Sequence, residues 1–324
     1  MDDAPERTWE LLHTLSKAEE RSPGEIAEDI SSPEMDTAYV RTFPADLPSG
    51  YISLNAGLRV IQGVRGMLEA AGRVEVEGVR PAFSGTRPPG VVRVLDEVTL
   101  GPSKSGSYIL PLRVSVQRPD QSEIFDAETL PLARRMLLRL LSALTAAHAA
   151  TMSVRADNDY SAFDETVDAG VSANLCRSLS DLAGLERREP FEVGFRWGRA
   201  LPSPLAAATI TFPEGAGSLV FEVAKQLERL AAGGEASIRG VIEGLHDEPY
   251  GNDRWRIRVR GELIAEAGGI DPRRPVWVRL GRLDYERAIE AHRERRTVRA
   301  QGSLELRQRR VELTTHAGGF EILS

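Results

Sequence analysis

The feature that most constrains how this chain can fold is the stretch Trp255-Arg256-Ile257-Arg258-Val259-Arg260, in which apolar and cationic residues alternate with a period of two. Successive side chains of a β-strand point to opposite faces, so Trp255, Ile257 and Val259 must enter a core while Arg254, Arg256, Arg258 and Arg260 leave it. The same parity applied to the next candidate strand turns Val276, Val278 and Leu280 inward and sets Trp277 and Arg279 outward.

These strands belong to a closely spaced set. Ser237 to Leu245, Arg254 to Ile264 and Val276 to Leu280 read as strands, Asp284 to Arg295 as a helix, and Val298 to Leu306 and Arg310 to Thr315 as two further strands. This order resembles the OB fold over about the last ninety residues. The resemblance implies a small five-stranded barrel whose usual ligand face is the outer surface of its second and third strands. Upstream, a helix from Gly217 to Ala232 stops at Gly233-Gly234, a natural terminator. At 324 residues the chain exceeds one comfortable core. The fold class expected is therefore α+β, with a mixed domain over residues 1–234 and an OB-like barrel domain over residues 235–324.

Within the first domain, Thr8 to Lys17 reads as a helix, and Ser22-Pro23-Gly24-Glu25 supplies a cap, a first-turn proline and an N3 carboxylate for a second. A strand is expected over Ala38 to Phe43. A helix from Ser53 to Ala71 follows, with Leu54, Leu58, Ile61, Met67 and Leu68 on its core face and Gly57, Gly63 and Gly66 marking a close crossing. Val91 to Leu100 and Ser107 to Val116 read as a hairpin around turn formers. Ala127 to Met152 is an apolar central helix, Ser161 to Leu185 another, and Phe191 to Trp197 and Ala207 to Phe212 are strands.

An outward tryptophan among arginines offers a stacking platform inside a positive field, which is what single-stranded nucleic acid requires of a protein. Arg256, Arg258, Arg260, Trp277 and Arg279 are therefore the candidate nucleic-acid-binding residues, with Arg299, Gln301 and Arg307 of the fourth strand widening the patch. Cross-strand carboxylates such as Glu243, Glu262, Glu305 or Glu312 could instead pair with these arginines and residues 1–234 could cover Trp277, which makes the face an intramolecular or protein-partner interface. The formal charge of −7 argues against indiscriminate coating of nucleic acid, yet residues 236–324 hold seventeen arginines against fourteen acids. The expectation is a non-enzymatic subunit of a hetero-complex whose ligand is single-stranded nucleic acid, or, in a second reading, a protein partner. Bacterial genome maintenance or phage defence are settings that would suit it. An enzyme with an unrecognised site in residues 1–234 is the third reading.

No cofactor or metal is expected. Gly101 to Tyr108 spaces its glycines like a phosphate loop but has Ser107 where the lysine belongs. Gly215-Ala216-Gly217 begins a dinucleotide fingerprint that Val220 breaks. Asp157, Asp159, Ser161, Glu165 and Asp168 fall at calcium-loop offsets, with Ala162 in the glycine position. The five histidines occur singly, and the lone Cys176 reads as a core residue. The acidic start Met1-Asp2-Asp3 is unlike a secretory signal, and Met136 to Met152 is shorter than the roughly 20 residues a bilayer demands, so a cytoplasmic protein without a membrane span is expected.

Overall fold

The computed structural model describes residues 4–19, 22–44, 47–102, 107–116, 130–157, 160–248, 254–265, 270–307 and 310–323. It is an α+β structure in which a helix-covered antiparallel sheet precedes a closed five-stranded barrel.

The sheet contains β1 (Met35–Thr42), β2 (Thr99–Leu100), β3 (Tyr108–Ser115), β4 (Phe191–Arg196) and β5 (Ala208–Phe212), in the order β2-β3-β1-β4-β5. The alternation of β1 sends Asp36, Ala38, Val40 and Thr42 inward, and Ala38 and Val40 join Leu112 of β3 and Phe191 and Val193 of β4 in one core. Before the sheet lie α1 (Ala4–Glu19) and α2 (Pro23–Ser31), which pack on each other. Helix α3 (Leu54–Glu77) starts at Ser53, whose Oγ accepts the Ala56 N–H.

Three expectations are corrected here. The core face of α3 is Val60, Val64, Met67, Leu68, Ala71 and Val74, whereas Leu54, Leu58 and Ile61 look to solvent. Residues Pro89–Glu97 form helix α4 rather than a strand, because Pro89 sits at its start and Val91 fills the notch left by Gly72. The hairpin is thereby reduced to β2 and β3, paired at Thr99 with Arg113 and Leu100 with Leu112. Finally, Ser161 to Leu185 is two helices, a 3₁₀ segment Tyr160–Ala169 and α6 (Ala173–Ser180), broken at Gly170, whose φ is 102°. The Oγ of Ser172 caps the second by accepting the Leu175 N–H.

Helix α5 (Leu132–Asp157) runs 26 residues, long and apolar enough to cross a membrane, which its apolar stretch did not foretell. Half of its most apolar 18-residue window is buried, and Arg134 in its first turn is bound to Asp36 with both side chains fully buried. Helix α7 (Ala216–Ala232) then leads through Gly233 and Gly234, both at positive φ, into the barrel.

The barrel is formed by β6 (Glu235–Asp247), β7 (Trp255–Ala265), β8 (Ile270–Arg279), β9 (Thr297–Arg307) and β10 (Arg310–Ile322), closed in the order β10-β8-β7-β6-β9. The β8–β10 pair is parallel and β9–β10 antiparallel. Ile238, Ile257, Val259, Val276, Val278, Leu304 and Leu313 fill the interior. Helix α8 (Arg282–Arg293) buries Tyr285, Ala288 and Ala291 and is tied to β6 by His292 Nδ1, 2.8 Å from the Ile242 carbonyl oxygen.

Candidate functional site

The outer surface of β7 and β8 is set by pleat and register. Arg256 faces Arg279, and Arg258 faces Trp277, while Ile257 and Val278 between them are buried. On the other side β6 presents His246 opposite Arg256 and Gly244 opposite Arg258. A register shift between Ile242 and Gly244 inserts Glu243 as an extra residue.

All five candidates thus stand on one outer surface, but the acids of the same surface hold the arginines. Glu243 on the bulge meets Arg258 at 3.7 Å and is hydrogen-bonded by Arg260. Glu248 is 2.6 Å from Arg256, whose side chain is only 11% exposed. Arg279 lies 2.9 Å from Glu312, which is itself buried. Arg254 at the edge pairs with Asp247 at 2.7 Å. Of the carboxylates anticipated as partners, Glu243 and Glu312 act on this face; Asp247 and Glu248 were not anticipated.

Trp277 is half-buried. The His246 ring meets it edge-on at 4.5 Å between centroids, and the Arg256 guanidinium lies 5.6 Å from its centroid. The chemistry available is stacking and cation–π contact inside a lattice of alternating charge. His246 escaped notice in the sequence because the bulge resets the parity of β6. Its outward position could be found only by pairing it with Arg256.

Arg299 and Gln301 do not widen this patch. Strand β9 pairs with β6 and β10, so it lies across the barrel from the β7–β8 pair, and Arg299 sits 3.7 Å from Glu321. Arg307 belongs to β9, but its side chain lies outside the described residues. On that far side Glu235, Ser237, Gln301 and His316 line an open cleft of about 480 Å³, with His316 Nε2 2.8 Å from Glu235.

The remaining motifs resolve into packing. Residues 103–106 of the glycine-spaced loop lie outside the described residues, and β3 rather than a helix follows it. Gly215 caps α7 at a φ of 80°, which glycine adopts without strain, and a Cβ on Gly217 would fall 2.8 Å from the Arg187 carbonyl oxygen, so Gly217 permits a close approach of chain segments. Asp159 of the calcium-like series lies outside the described residues, and among those residues no three metal-ligating side chains converge. His148 packs edge-on against Phe212. Cys176 is fully buried, and burial pushes its thiol up to about 12, far from the thiolate that a nucleophile needs.

No protein family, curated protein or solved structure matches this chain.

Proposed function

We propose that the chain is a non-enzymatic subunit of a larger assembly and that the β7–β8 face of its barrel docks a protein partner. The observation that supports this is the pairing of the face with itself: Arg254, Arg256, Arg258, Arg260 and Arg279 each have a carboxylate of the chain within ion-pair distance. Affinity for nucleic acid comes from cations that neutralise phosphates and release their counterions. A phosphate backbone laid here would meet Asp247, Glu248 and Glu243 as often as a guanidinium. A protein surface can answer alternating charge with alternating charge, and tryptophan and arginine are the residues enriched at the energetic centres of such interfaces.

One observation favours single-stranded nucleic acid as a second reading. Trp277, His246 and Arg256 make an aromatic and cationic platform on the outer surface. The more exposed pairs of this face, Arg254–Asp247 and those of Arg258 and Arg260 with Glu243, are each worth about 0–1 kcal/mol, so a phosphate could compete for them. Titration of a labelled single-stranded oligonucleotide at about 50 and 200 mM salt separates the readings. The expected result is no saturable binding, together with a stoichiometric protein partner that co-purifies with the parent and is lost from Trp277→Ala. Tight, salt-sensitive oligonucleotide binding that falls in Trp277→Ala would replace the first reading with the second. A partner retained by Trp277→Ala would move the docking surface elsewhere.

A further inference from the structure

Helix α3 carries two apolar faces, and one of them has no cover among the described residues. Leu54, Leu58 and Ile61, at i, i+4 and i+7, form a row on its outer side, with Leu54 88% exposed and Tyr51 extending the row upstream. Single exposed apolar residues are ordinary, but a helical row of them is the surface that a partner helix covers. Cations border it. Arg65 is next in the row and shares the single carboxylate of Glu69 with Arg87, while Arg59 donates to the carbonyl of Leu185, another exposed apolar residue. The occupant that fits is apolar along one side and acidic around it.

The chain holds such an element at the other end of β1. Helices α1 and α2 leave Trp9, Leu11 and Ile30 exposed, and residues 4–31 contain seven Asp and Glu against three Lys and Arg. Strand β1 spans about 25 Å over its eight residues; the hairpin leads into it at Met35, while Gly50, just before α3, is bonded to Ser107 beside the Thr42–Tyr108 pair at the far end, so hairpin and row are approached from opposite ends of the strand. We propose that the acidic α1–α2 hairpin of one copy docks on the Leu54–Leu58–Ile61 row of a second copy. The two contact surfaces differ, so the association is head-to-tail and builds a ring or an open chain of copies. It is independent of the barrel-face reading.

The test is sedimentation of the full chain over a range of concentrations, with Leu58→Asp removing the row and Trp9→Asp the hairpin. Both positions are exposed, and circular dichroism checks that each variant folds. The parent is expected to grow in mass with concentration, and each variant to self-associate at least tenfold more weakly. Mixing the two variants should restore a species of two chains and no larger one, because each brings one intact surface. A parent that stays monomeric overturns the proposal and leaves the row to a different protein. Disruption by Leu58→Asp but not by Trp9→Asp overturns it in favour of row-on-row pairing, and a mixture that stays monomeric overturns the head-to-tail geometry.

Discussion

Asp36, near the start of the central strand β1, and Arg134 set the cost of burying two charges against their mutual attraction. Burial pushes the Asp36 carboxyl above its ordinary value, against the hydrogen bonds from Arg134 and from the Gly198 N–H and the charge of Arg134. The pair is bidentate, at 2.5 and 2.7 Å, and the Trp197 ring covers the guanidinium at 5.3 Å. Removing one partner strands the other in a dry interior. Asp36→Asn should therefore destabilise the fold by about 3–5 kcal/mol, whereas replacing both residues by apolar ones of similar size should recover most of the loss. Urea unfolding of the two single variants and the double variant checks this; a single variant within about 1 kcal/mol of the parent would show that water reaches the pair. The sequence does not disclose this pair, because the partners are 98 residues apart and nothing local marks Asp36 as inward except the parity of a short strand. Trp277 was legible for the opposite reason. Its strand alternates cleanly with Val276 and Val278, and parity needs no knowledge of distant partners.

At the level of elements, glycines in α3 were readable as a close crossing while its faces were not. A Cβ on Gly63 would fall 2.7 Å from the Ser178 carbonyl oxygen, which belongs to the backbone of α6 and has little freedom to retreat. A Cβ on Gly66 would meet only the Ser178 side chain, which can turn away. Alanine raises helix propensity by roughly 1 kcal/mol at either site. Gly63→Ala should nonetheless destabilise the protein by about 1–3 kcal/mol through overpacking, with Gly66→Ala less harmful, as measured by denaturant midpoints. Equal effects at the two positions would mean that α3 and α6 slide apart as a unit. A helix with apolar residues on two sides does not say which side meets the core, so the sequence alone allows Leu54, Leu58 and Ile61 to face inward. Helix α4 failed for a different reason: Val91, Val92 and Val94 favour a strand, but the notch at Gly72 accepts Val91 from a helix.

On the scale of the whole molecule, the barrel satisfies its own backbone. Every strand has two neighbours in the closed order, and the interior is filled by residues from the barrel strands themselves. The pattern was legible in the sequence because short alternating strands and a single helix follow one another without long insertions. The charge arrangement was only half legible, since seventeen arginines against fourteen acids can be counted but their pairing depends on a bulge at Glu243 and on acids brought from β6 and β10. The contacts that join the two parts are fewer than those within the barrel, and they run from α7 to β9 and from the 3₁₀ segment to β8 and β10. Residues 235–324 expressed alone should consequently fold, with a β-type circular dichroism spectrum and one cooperative thermal transition. A small domain of this size is marginal, and uncovering the surface next to α7 removes apolar burial worth about 25 cal/mol per Å², so the midpoint should fall below that of the full chain. A fragment without a transition would show that the barrel is completed by the helical domain, and that the Gly233-Gly234 step joins two parts of one cooperative unit.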